Sequence, residues 1–433
     1  MKARSCAPLL PAALLAFWLA PASADDFERP PINYSQSTPD NPVSRLQDQW
    51  DAGQAPPPHE PRFGYLRAVL DALRVPESSQ ALVFSKTSLQ RHRITPKTPR
   101  ALYFNDETYV GFCQQGDVLE VSVADPQLGT VFYTLDQRAD EQPRFIRQTD
   151  NCLICHASSQ TQQTPGHLVR SVFVDAEGFP LLSSGTYRTD HTSPFNQRWG
   201  GWYVTGTHGA QRHLGNLIVR DRQVAEPVDN AQGQNVTDLS GRLAIDRYLT
   251  PHSDIVALMV LEHQTMAHNL IARANFLARQ ALFYERELNR ELREPEGRHW
   301  DSTTSRIEAA GDPLVECLLF SGEAALTSPV AGTSAFTAEF GRDARRDGQG
   351  RSLRDFDLQT RLFRYPCSYL IYSDSFQALP SEVKNYVLRR MLDVLRATDA
   401  SPKFAHLSTA DRQAVFEILC ATLTDLPAEW QGR

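Results

Sequence analysis

Residues 117–136 read DVLEVSVADPQLGTVFYTLD, and their alternation on both sides of a Pro/Gly turn predicts a β-hairpin. Working towards the N-terminus, ALVF (81–84), ALYF (101–104) and TYVGFC (108–113) are strand-like, and FGYLRAVLDALRV (63–75) is a short amphipathic helix. Working towards the C-terminus, HLVRSVFVDAEGFPLLSSG (167–185) predicts a second hairpin turning at Asp175–Gly178, and GGWYVTGT (200–207) and GNLIVR (215–220) continue the β character. Near residue 250 the period changes. SDIVALMVLEHQTMAHNLIARANFLARQALFYERELNRELRE (253–294) carries a long helical pattern, with Ser253 or Asp254 as N-cap and Pro295 just beyond its charged tail. Two further helices are expected near 381–396 and 408–424. The fold class is therefore α+β, with a β-rich part over 63–250 and a mainly helical part over 251–433.

The two ends of this frame differ. Residues 25–62 are rich in Pro, Asn, Gln and Asp and read as an extended arm. Residues 1–24 have the pattern of a removable signal peptide: Lys2 and Arg4, the apolar run APLLPAALLAFWLA, and small residues Ala22 and Ala24 before Asp25. No later stretch is long and apolar enough to span a membrane. The chain has 44 Lys and Arg against 51 Asp and Glu, a formal net charge of −7, which becomes −9 once Lys2 and Arg4 leave. An acidic chain of this kind disfavours nucleic acid and anionic membrane surfaces as partners.

Residues 152–156 read CLICH, and export decides how that motif is taken. The thiols of Cys152 and Cys155 span one edge of a porphyrin and can add to its two vinyl groups, while His156 reaches the iron from the same turn. A thioredoxin-like dithiol needs a strand running into a helix, whereas the flanks here are polar. A structural zinc site needs a second ligand pair that the remaining cysteines do not supply. The expectation is one covalently bound haem c, tethered at Cys152 and Cys155 with His156 as axial ligand, in a periplasmic or otherwise exported protein. Cys113, Cys317, Cys367 and Cys420 remain, either as two disulfides in one of three pairings or as buried thiols.

The motif lies in mid-chain, unlike the small carriers, in which it opens a helical domain of roughly a hundred residues. RALYFNDETYVG (100–111), RWGGWYVTG (198–206) and DFDLQTRLFRYPCSYLIY (355–372) resemble a group of large, secreted, single-haem bacterial cytochrome c domain proteins. That resemblance covers most of the mature chain and implies a haem but no particular activity.

The sixth iron position separates a carrier from a catalyst. On the long helix, Val256, Met259, His263, Ala267, Leu270 and Ala274 form one apolar stripe, which makes His263 a candidate distal ligand and Met259 the second choice. The alternative for His263 is a buried, hydrogen-bonded core histidine. His268 lies five residues on, so the pair does not clasp one metal. In 189–213, His191, Arg198, Trp199, Trp202, Tyr203, His208 and His213 are candidates to wall the haem or bind its propionates, and His167 is near by chain length. The Arg-rich 341–355 reads as a solvated loop. Two functions compete: electron transfer to a redox partner protein, and a haem enzyme, peroxidase-like or oxygen-activating, with Arg198 and Glu262–His263 serving an open distal side. A ligand-sensing haem protein is a third.

Overall fold

In the computed structural model, which describes residues 26–55, 57–140, 142–220, 228–295 and 297–431, the first half of the chain builds one antiparallel sheet. The signal-peptide expectation for 1–24 falls outside the described residues. Helices α1 (Pro42–Asp51) and α2 (Leu66–Ala72) precede strands β1 (Ala81–Val83), β2 (Arg100–Phe104), β3 (Thr108–Phe112), β4 (Val118–Asp125), β5 (Gly129–Asp136) and β6 (Phe145–Gln148). The six strands neighbour one another in sequence order. The 117–136 hairpin closes at Asp125↔Gly129. Asp125 Oδ1 accepts the turn amides of Gln127 and Leu128, and Gly129 takes φ +66°.

Register divides the sheet into two faces. Ala101, Tyr103, Val110, Phe112, Leu119, Val121, Val123, Val131, Tyr133, Leu135 and Phe145 face one core, which the N-terminal segment and α1 cover. The expected extended arm is corrected here. Within it, α1 is capped by the Asn41 side chain, and Phe27, Ile32, Tyr34, Val43, Leu46 and Trp50 are buried. Those apolar residues are too sparse among Pro, Asn and Asp for composition to reveal them. The opposite face carries Tyr109, Gly111, Glu120, Ser122, Phe132, Thr134 and Ile146.

Beyond the sheet come the single turn α3 (Leu153–His156), β7 (Arg170–Val172) and β8 (Thr186–Arg188), which pair, and a two-residue β9 (Gly206–Thr207). The Asp175–Gly178 turn forms, with Gly178 N–H donating to Asp175 O at 3.0 Å. The β character expected for 200–207 and 215–220 shrinks to β9. Trp199 at φ +65° and Gly201 at φ +82° break the extended run, and Tyr203, Thr205 and Gly206 donate instead to Leu82, Ser253 and Val236.

The helical half begins with α4 (Ile255–Leu292), followed by α5 (Asp301–Leu318), β10 (Ala331–Gly332), α6 (Phe336–Phe340), α7 (Asp374–Gln377), α8 (Ser381–Leu395) and α9 (Thr409–Thr422). Asp254 caps α4, accepting from Val256 N at 2.8 Å and Ala257 N at 3.2 Å. α5 was not foreseen, because Gly311 and Pro313 interrupt its sequence; Pro313 sits inside the helix all the same. α4 runs through a second core shared with α5, α8 and α9 and reaches the sheet at Tyr109 and Phe104. The fold is α+β, as expected, with the long helix joining the two halves.

Candidate functional site

The CxxCH segment is a closed loop standing on the sheet. Asp150 O accepts Leu153 N at 3.0 Å, and Cys152 O accepts His156 N at 3.0 Å, so 152–156 coil through one turn. Cys152 is half-buried and Cys155 exposed, and neither is in a disulfide. Burial raises the Cys152 thiol to about 11, with Glu120 and Asp150 adding to it. The ring of His156 packs on Phe132 at 5.0 Å between centroids. Its Nδ1 lies 2.9 Å from Gly166 O, the backbone acceptor to which it donates, and the same two residues pair again through Gly166 N–H to His156 O at 2.8 Å. Burial lowers the His156 pKa, partly opposed by that carbonyl. Nε2 makes no hydrogen bond among the described residues.

What fixes Gly166 is Asn269, on α4. Its Oδ1 accepts His167 N at 2.8 Å and its Nδ2 donates to His167 O at 2.7 Å, holding the backbone on both sides of His167. A side chain at Gly166 would run into Asn269 and Thr161. His167 itself is spent on structure: Thr130 Oγ1 and Ser122 Oγ each lie 3.1 Å from one of its ring nitrogens. Arg100 and Glu120, paired at 3.0 Å, are the charged side chains that act on both His156 and Cys152. Ile154 is 78% exposed and Ile146 50% exposed, and Ile146 shares the sheet face of Phe132. Asn269, Gly166 and Phe132 were not foreseen; a polar Asn within the apolar part of α4 was the available signal.

This arrangement fits a haem c. A metal-bound histidine commonly donates its second ring N–H to a backbone carbonyl, which sets the tautomer and orients the ring. Here that bond is made, the other nitrogen is free, and both thiols are unpaired on the same turn.

His263 is placed elsewhere. It is fully buried in the helical core, with Nε2 2.7 Å from Ser368 Oγ, Nδ1 3.2 Å from His191 Nδ1, and Phe320 stacked on its ring at 4.2 Å. It shares no contact with His156. Met259 is buried one turn earlier on the same helix. Arg198, expected to meet propionates or a distal ligand, is consumed internally: it pairs with Glu262 at 3.1 Å and donates to Ser193 O and His191 O at 2.9 and 3.0 Å. Burial still raises Glu262 to about 7 against the pull of Arg198. Trp199 and Tyr203 are core residues, and Trp202 Nε1 donates to Arg170 O at 2.8 Å. His208 and His213 pack together at 4.7 Å, and burial lowers His213 to about 3. The 341–355 segment is less solvated than expected, since Arg354 lies 4.7 Å over Phe340 and 4.6 Å over Tyr369 and pairs with Asp106.

Beside α4 opens a cleft of about 1130 Å³ lined by Asp106, Glu107, Gln264, Glu339, Arg354 and Tyr369. Burial, reinforced by Asp374, raises Glu107 to about 7. Tyr369 OH donates to Gln264 Oε1, Gln264 Nε2 donates to Tyr109 OH at 2.7 Å, and the Tyr109 ring lies 4.0 Å from that of His167.

No family model matches the chain, and neither a curated protein nor a solved structure matches it.

Proposed function

We propose that this protein is an exported, single-haem c-type cytochrome that exchanges electrons with a redox partner protein. The observation that carries this reading is the His156–Gly166 bond, which leaves Nε2 free beside two unpaired cysteines on one turn. Cys152 and Cys155 would hold the group by thioether bonds and His156 would be its axial ligand. A bound haem c supplies reversible one-electron transfer. The chain's own residues orient that axial ring: Asn269 fixes the Gly166–His167 peptide to α4, and Phe132 packs against the imidazole. Ile154 and Ile146 give exposed apolar surface against which a partner protein can pack. Export rests on the leader-like 1–24; no helix among the described residues is long and apolar enough to cross a membrane. His263, its nitrogens facing His191 and Ser368, is not beside His156, so the sixth position rests with Met259 as an expectation from spacing or is open.

A second reading, a haem enzyme, is favoured by the cleft. The run from Tyr369 through Gln264 and Tyr109 to His167 joins it to the segment that anchors His156. The two are separated by maturing the protein in a host competent for haem attachment and recording its spectrum with and without peroxide. A six-coordinate, low-spin spectrum indifferent to peroxide, with rapid oxidation by a small electron carrier, is the expected result. A high-spin spectrum with peroxide turnover moves the function to the cleft. Absence of covalent haem from a competent host overturns both.

A further inference from the structure

Outside the CxxCH segment, one buried cluster has the composition and spacing of a metal site. His263 comes from the third turn of α4, His191 from the 189–198 loop and Cys317 from the last turn of α5, at 0%, 3% and 5% exposure. One ligand atom from each of the three lies within 4.8 Å of the others. The Nδ1 atoms of His263 and His191 are 3.2 Å apart. Two nitrogens bound at about 2.0–2.1 Å to one tetrahedral ion sit about 3.4 Å from each other, so this pair already has the edge length of a coordination polyhedron.

A purely hydrogen-bonded histidine pair has the same separation, but it leaves groups over. Two facing Nδ1 atoms can share only one proton, and the thiol beside them is left with nothing to bond. Cys317 Sγ is buried, free of any disulfide and makes no hydrogen bond among the described residues. The surroundings are those of a ligand set. Ser368 Oγ, 2.7 Å from His263 Nε2, can accept its N–H and leave the Nδ1 lone pair directed at His191. Phe320 covers both rings, at 4.2 Å from His263 and 5.1 Å from His191, and keeps water out.

We propose that His191, His263 and Cys317 form a buried three-ligand site for one borderline-soft transition-metal ion, Zn²⁺ or copper, within the helical core. Two imidazoles and a thiolate suit those ions and not the oxygen-seeking Ca²⁺ or Mg²⁺. Binding forms one metal–sulfur and two metal–nitrogen bonds and releases the Cys317 thiol proton to solvent. No oxidation or reduction is involved. The proposal is independent of the CxxCH reading, and it gives His263 a partner other than haem iron.

The test uses the full chain, exposed separately to Zn²⁺ and to copper, freed of loose ions by gel filtration, and examined by elemental analysis and X-ray absorption at each metal edge. One retained zinc or copper per chain, counted apart from haem iron, with one sulfur scatterer at about 2.3 Å and nitrogens at about 2.0–2.1 Å, is expected. The metal retained in direct competition identifies the ion. Cys317→Ser and His191→Gln should lower retention at least tenfold. Ser368→Ala, which leaves all three ligands, should weaken it by about 10–100-fold and keeps the test decisive where the ligand variants do not fold. No retained ion from either solution, a retained ion without a sulfur neighbour, or Cys317 found in a disulfide overturns the site.

Discussion

His156 and His263 are both histidines on helical turns, and the protein surrounds them in opposite ways. His156 sits on one turn at the surface, one nitrogen anchored to Gly166 and the other free, with its anchor ten residues along the chain. His263 sits within a 38-residue helix, its nitrogens facing partners 72 and 105 residues away in sequence. One keeps a nitrogen without a protein partner among the described residues; the other is enclosed by its own neighbours. A histidine on an apolar stripe thus says that the position is buried, and its chemistry depends on what the other elements bring to it.

The comparison can be broken by disturbing either surrounding. The largest effect is expected beside His263. Arg198→Met strands Glu262 in the core and should destabilise the protein by about 3–5 kcal/mol in denaturant unfolding, and adding Glu262→Gln should recover much of that loss. A loss below 1 kcal/mol would mean that water reaches the pair.

Next comes the anchor of His156. Asn269→Ala removes both hydrogen bonds to the His167 peptide and leaves buried groups unpaired, a loss of about 2–4 kcal/mol. The same change should shift the midpoint potential of the matured protein, because the Gly166 carbonyl loses its support. An unchanged potential would detach Asn269 from the site.

Acid offers a third probe. Burial holds His213 near 3 against an ordinary 6.5, so the unfolded chain binds the extra proton and stability falls as pH drops below about 6.5. Glu107, Glu262 and Glu323, raised to about 7 by burial, act in the opposite sense: they weaken the fold as pH rises from about 4.5 to 7. The clean measurement is therefore a difference. His213→Asn should lose about 2 kcal/mol less than the parent between pH 6.5 and pH 4.5, at up to about 1.4 kcal/mol per pH unit. Parallel pH profiles would show that His213 titrates normally.

The smallest effect on stability is expected at the surface. Ile154→Asn should change unfolding free energy by less than about 0.5 kcal/mol, given its 78% exposure. It should nonetheless slow electron exchange with a partner protein if that face is the docking surface.

These differences also explain what could be read in advance. The 117–136 hairpin was legible because its alternation and turn are local, and both ends of α4 were legible from Asp254 and Pro295. α5 was hidden by Gly311 and Pro313, whose local preference tertiary packing overrides. The N-terminal segment was hidden by composition, since six buried side chains are enough to pin it to the sheet while its other residues read as linker. At the candidate site, Cys152, Cys155 and His156 were legible as a contiguous motif. Asn269 was not, because its role exists only once α4 crosses the loop from more than a hundred residues away.

The central claim is the use of the two cysteines, and one measurement reaches it directly. Cleavage after Arg147 and Arg170 releases residues 148–170, which carry Cys152, Cys155 and His156 on one peptide. Mass spectrometry of protein matured in a haem-attaching host should find that peptide heavier by one haem. The added mass should vanish in the double variant Cys152→Ala/Cys155→Ala. The peptide found at its bare mass, with both thiols free or joined to each other, would contradict the account.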